Sequence, residues 1–339
     1  MRRPLAIVVA TVLTGMLLWG GWWWLGASLR QRALADWLAG RRADGWTAEA
    51  AAIRPGGFPY RVDIFVRDLA LADPEAGWSW SAEGFEILSL AWRPQELILA
   101  WPGRQVIGTP LDRIALSGDV LRASARFEPN TRLALARSTL EAKAVTLHGD
   151  AGWTAGIDHA IVATRPAATG TRFAHDLSIE AGGLSLPDLI AANVTGGALP
   201  RTIDSVSVDA TLGFDRPWDR PAIEAGGALL QAIDIRHATL TWGDLRLEAE
   251  GRLVADSDGR AEGRLHLKAR NWTKMLEIAE QSGALEPGAA AAARAGLGLM
   301  SAFGGSRDTL DVSLDLGEGR MRIGPVPLGA APRLAPPSR

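Results

Sequence analysis

Two hydrophobic periodicities divide the chain. From Leu5 to Leu29 no side chain is charged, and an apolar run of about 25 residues crosses a bilayer with some tilt. Arg2 and Arg3 precede the run; Arg30 and Arg32 follow it. Trp19, Trp22, Trp23 and Trp24 gather at its C-terminal end. They are candidate membrane-interface anchors, because an indole keeps its ring in lipid and its N–H near water. A cleavable signal peptide has a shorter apolar core ending at a small-residue site. Gly26-Ala27-Ser28 is small, but the run is too long and bulky Trp precedes it. An uncleaved transmembrane anchor over residues 1–30 is therefore expected. Leu29, Ala33, Leu34, Trp37 and Leu38 then recur at helical spacing. They extend the helix as a juxtamembrane segment over 31–45, ended by Gly40 or Gly45.

From Ile53 the period falls to about two. Tyr60, Val62, Ile64 and Val66 alternate with Arg61, Asp63 and Arg67; Trp78 and Trp80 alternate with Ser79 and Ser81. Val206, Val208, Ala210, Leu212 and Phe214 against Ser205, Ser207, Asp209 and Thr211 make the clearest amphipathic strand. Leu245–Leu253 and Gly263–Ala269 flank Asp256-Ser257-Asp258-Gly259 as a hairpin, and Gly317-Glu318-Gly319 turns a last one. Helices are few: one after Leu186-Pro187, one N-capped by Asn271, and one over Pro287–Phe303. The fold class expected is mainly β with an N-terminal transmembrane helix, in long antiparallel curved sheets with a few short helices. The β-rich domain runs over 46–324, with halves 46–181 and 201–324 if the Gly-rich 182–200 stretch is a joint. Residues 325–339, rich in Pro and Gly, form an irregular tail.

Composition narrows the chemistry. The absence of cysteine removes disulfides, thiolate metal sites and a Cys nucleophile. A net charge of −2 provides no field for nucleic acid. The five histidines show no short-spaced metal pair, and Asp158-His159 and His175-Asp176 are strand neighbours that point to opposite faces. Asp256–Gly259 lacks the further ligands of a calcium loop. No nucleophile elbow or phosphate-binding glycine loop occurs. No catalytic residue, cofactor or metal is assigned. Arg216-Pro217-Trp218-Asp219-Arg220 reads as a fixed corner whose Arg and Asp side chains pair.

Several strings together carry a resemblance. They include Gly45-Trp46, Gly57-Phe58-Pro59 with Arg61, Asp73-Pro74 before Gly77-Trp78, and Trp92-Arg93-Pro94. Asp150–Gly156, Phe214–Arg220, Trp242–Leu245, Asn271-Trp272 and Gly324-Pro325 follow in order. The series resembles the domain of unknown function 2125 family of Gram-negative bacteria over nearly the whole chain. Tyr60 departs from the small polar residue expected after Gly-Phe-Pro. The resemblance implies an inner-membrane anchor with a periplasmic body. Flanking charge alone leans towards a cytoplasmic body, although large domains translocate regardless of it. More distantly, the architecture is similar to AsmA-like envelope proteins, associated with lipid handling.

An apolar sheet face must be covered by something. The leading expectation is a hydrophobic groove for a lipid or acyl chain, lined by Val62, Ile64, Val66, Val206, Val208, Leu212 and Phe214. The same residues equally suit an ordinary core. The alternatives are an envelope scaffold that binds a protein partner through a sheet edge, and a hydrolase or transferase with converging carboxylates. The partners expected are the inner membrane, a lipid and envelope proteins, without nucleic acid.

Overall fold

The computed structural model describes residues 2–195, 199–281, 283, 287–303 and 308–336. The chain falls into two compact units, Met1–Arg126 with Leu147–Ala151, and Phe127–Thr146 with Gly152–Arg339. The Gly-rich 182–200 stretch lies in the second unit, and 196–198 fall outside the described residues.

The first unit opens with α1 (Arg2–Ala43), one unbroken helix. Its last turn hands over at Gly45, which takes a left-handed φ of 86°, a conformation that costs glycine little. Then come β1 (Thr47–Gly56), β2 (Asp63–Asp73), β3 (Trp78–Leu90), β4 (Arg93–Ala100), β5 (Gln105–Gly108), β6 (Arg113–Ser117) and β7 (Val120–Phe127). β1, β2 and β3 pair antiparallel in order. β3 then divides its edge between β4 and β5, which pair on to β7 and β6. The C-terminal half of α1 lies on this sheet: Leu34 and Leu38 pack over Ala48, Ile64, Val66, Leu69 and Leu71. A lower cluster joins Ala27 and Trp23 to Val62 and Ala91.

The second unit holds most of β8 (Leu135–Gly149) and a meander of β9 (Thr154–Pro166), β10 (Ala174–Ser185), β11 (Thr202–Phe214), β12 (Leu230–Trp242), β13 (Leu245–Ala255), β14 (Ala261–Arg270), β15 (Thr309–Gly317), β16 (Arg320–Ile323) and β17 (Val326–Ala330). Each pairs antiparallel with the next. Helices α2 (Asp188–Thr195), α3 (Arg220–Glu224), α4 (Trp272–Gln281) and α5 (Pro287–Phe303) interrupt it. The expected mainly β fold with an N-terminal apolar helix is the observed one.

Turn chemistry sets the meander's register. Asp256 accepts the N–H groups of Asp258 and Arg260 between β13 and β14. Glu318 and Gly319, with φ of 52° and 72°, close the β15–β16 hairpin as a two-residue turn.

Three local expectations need correction. Asn271 does not cap α4 with its side chain: its φ is 57°, and its amide donates to the Asp244 carbonyl at 2.7 Å. The tail is not irregular throughout, because Val326–Ala330 adds a strand to β16. Ala331 beyond it is buried with Leu253, Ala261 and Leu316; 337–339 lie outside the described residues. Within the Arg216–Arg220 corner, Asp219 pairs with neither neighbouring arginine but with Arg132, whose guanidinium donates to Oδ2 at 2.8 and 2.5 Å. Asp219 also caps α3 through the Ala222 N–H at 3.0 Å.

Candidate functional site

In the second unit, cross-strand register converts the alternation of single strands into apolar rows. Val162, Ile179, Val208, Ala238, Ala249 and Leu267 are successive partners from β9 to β14. The neighbouring row is Ala160, Ala181, Val206, Leu240, Leu247 and Ala269. One end of this face is closed. Trp272 of α4, Ala293 and Leu297 of α5, and Val326 pack on Ala269, Leu310 and Val312. Among the described residues, most helix contacts with the meander fall on β13, β15 and β17, and Met275 and Ile278 of α4 also pack in a cluster with Trp242 at the end of β12 and Ile203 of β11. Across β9–β12 the face is only half-buried at Val162, Ile179, Val206, Val208, Ala238 and Leu240.

The predicted lining residues therefore separate. Val206 and Val208 lie within the half-buried rows. Leu212 is also half-buried, paired with His175 and Ile233. Phe214 meets the rings of His175 and Trp218 edge-on at 6.1 and 5.5 Å. Burial lowers the His175 pKa, against the opposing pull of Asp176. In the first unit Val62, Ile64 and Val66 are 4%, 2% and 2% exposed; they lie in a closed core beneath α1.

The opposite face of the meander is polar. A bulge in β12 at Arg236 and His237 lets the Arg236 guanidinium reach both Asp209 and Asp176 on neighbouring strands. The hydrogen bond from Arg236 holds the Asp209 carboxyl below its usual range. These carboxylates are charge-neutralised partners in a sheet ladder. Among the described residues, no group of three or more His, Asp or Glu side chains is placed to hold a metal.

The four tryptophans at the end of the apolar run also separate. Trp19 Nε1 donates to the Pro59 carbonyl at 3.0 Å, and Trp23 Nε1 to the Arg61 carbonyl at 2.5 Å. Trp22 and Trp24 are 62% and 63% exposed. α1 itself is long and apolar enough to cross a membrane.

The family of proteins described as "Uncharacterized protein conserved in bacteria (DUF2125)" matches residues 23–332. The chain belongs to this family. No curated protein and no solved structure matches it.

In this DUF2125 protein the match begins at Trp23 and takes in the Gly57-Phe58-Pro59 string with Arg61. That string builds a polar knot that the sequence reading missed. Asp63, 1% exposed, accepts from Arg61 Nε at 2.8 Å and from the Ser89 N–H at 3.3 Å. Arg30 donates to the Val62 carbonyl at 2.7 Å and to the Ser89 hydroxyl. Gly57 has a φ of 88°, and a Cβ there would meet the Asp63 carboxylate at 2.7 Å. The one available signal was the i, i+2 spacing of Arg61 and Asp63, which places both on one side of an extended chain.

Proposed function

We propose that this DUF2125 protein is an inner-membrane-anchored, periplasm-facing protein whose second unit holds a lipid or other hydrophobic ligand during envelope maintenance. The observation that carries the reading is the pair of apolar rows across β9–β12, half-buried with polar residues on the reverse face. Leaving such a surface wet is unfavourable, by about 25 cal/mol for each Å² of apolar area. Four strands span about 14 Å between the outer two, a scale suited to an acyl chain lying along a row.

The test is native mass spectrometry of full-length protein released from nanodiscs, with organic extraction of the bound molecules. A stoichiometric lipid is expected on the native chain and is lost from Val208→Asn, while circular dichroism stays unchanged. Equal lipid adducts on both chains, or none on either, would reject the groove and turn attention to a protein partner at a sheet edge. Orientation is tested separately. A Leu111→Cys variant, whose native side chain is 96% exposed, should react in intact cells with a maleimide that crosses only the outer membrane.

A further inference from the structure

The Gly57–Arg61 loop joins β1 to β2 and lies against α1 on the N-terminal side of Arg30, the first charged residue after the apolar run. Its contacts are with Trp19 and Trp23. These residues precede Arg30 by about 10–16 Å along the helix axis. Counted from Leu5, Trp19 stands about 21 Å into the apolar run, and a hydrocarbon core is about 30 Å thick. If α1 spans the bilayer, Trp19 and Trp23 therefore sit in the outer part of that core, on the side of the body. A loop bound to them sits at the same depth.

The loop's chemistry suits that depth. Backbone carbonyls need partners where water is scarce, and four of the five in residues 57–61 have them. The Gly57 carbonyl accepts from Arg61 N, that of Pro59 from Trp19, that of Tyr60 from Ala91 N, and that of Arg61 from Trp23. The side chains are left outward: Phe58 is 59% exposed and Tyr60 68%. Phe58 leans edge-on against Trp23 at 5.3 Å. Trp92 follows Ala91, whose N–H bonds the Tyr60 carbonyl, and is itself 54% exposed. Exposed aromatics over a loop with most of its carbonyls bonded suit the boundary between headgroups and acyl chains better than water. The charge of Arg61 is met by buried Asp63 at 2.5 Å.

We propose that the Gly57–Arg61 loop, together with Trp92, inserts into the headgroup–acyl boundary of the bilayer that α1 spans. The first unit is then seated in the membrane at a second point, and α1 does not act as a loose tether. The inference rests on α1 being a membrane span and is independent of the lipid-binding face.

The natural absence of cysteine makes single-label work direct. Phe58→Cys, Tyr60→Cys and Trp92→Cys are made in the full chain, with Leu13→Cys in the apolar run and Leu111→Cys on the exposed β5–β6 turn as references. Each carries an environment-sensitive fluorophore in vesicles of phosphatidylethanolamine and phosphatidylglycerol, with either spin-labelled lipid or aqueous iodide as quencher. The expected result is blue-shifted emission at 58, 60 and 92, with several-fold stronger quenching by spin-labelled lipid than at 111. Labels at 58, 60 and 92 that behave like 111, while 13 stays shielded, would overturn the insertion and leave the span intact. A label at 13 open to iodide would overturn both. Three positions, two in the loop and Trp92 in the β3–β4 turn, keep the result readable if one variant misfolds.

Discussion

The first unit and the second solve the same problem differently. Each presents an apolar sheet face made by strand alternation. In the first, α1 lies on that face, and Ile64 and Val66 are 2% exposed under Leu34 and Leu38. In the second, α4 and α5 close the face mainly near β13–β17, with α4 reaching Trp242 at the end of β12, and Val206 and Val208 on β11 stay half-buried. Both stretches have strong alternation in sequence, yet one is core and the other a surface. An apolar strand face states a need for cover without saying what supplies it.

That contrast can be broken by mutation. Ile64→Ala should be the costliest change, at about 2–5 kcal/mol, because a closed core leaves a cavity behind. Chemical denaturation of the full-length protein in detergent measures it. Gly57→Ala should follow. A left-handed alanine alone costs about 1–2 kcal/mol, and the new methyl also pushes on Asp63 beneath α1. Val208→Ala should cost only about 1 kcal/mol, since little of its half-exposed side chain loses cover. A loss equal to that of Ile64→Ala would mean that the β11 face is closed in solution.

Acid should discriminate too. Burial lowers the His175 pKa, so the folded state favours neutral imidazole. The stability this contributes is complete above the unfolded value of about 6.5 and is lost as pH falls through the lower folded value. The denaturation midpoint of the second unit should drop between pH 7.5 and 5.5, and His175→Gln should flatten that slope. The Asp219 carboxyl acts in a separate, more acidic window. Burial raises its pKa, but the Ala222 N–H and Arg132 outweigh that and leave it below the usual carboxylate range. Its contribution is present above the unfolded value of about 3.9 and fades as pH falls below it. Arg236→Gln on the polar face should be the mildest change, at about 0.5 kcal/mol or less, as exposed ion pairs contribute little.

Much of this was legible in one dimension. The apolar run, the switch from helical to two-residue period, the Asp256 and Gly317 turns and the Pro287 helix all follow from local chemistry. A residue's neighbours in sequence decide whether it continues a helix, alternates in a strand or reverses the chain. Local chemistry misled where a distant group had the stronger claim. Asp219 took Arg132 over the arginines beside it, and Asn271 turned its amide to Asp244. The β2 strand shows a subtler failure. Its buried apolar side chains run 64, 66, then 69, 71, changing parity at Asp68, whose φ is 49°. β1 and β3 keep their pairing across that change, so no insertion in the register marks it.

Alternation by itself determined that each strand has an apolar side, because successive side chains must point to opposite faces. Only the tertiary structure decided which of those sides lies under a helix and which stays half-open. Cover depends on where helices dock, and docking is settled by contacts between residues far apart in the chain.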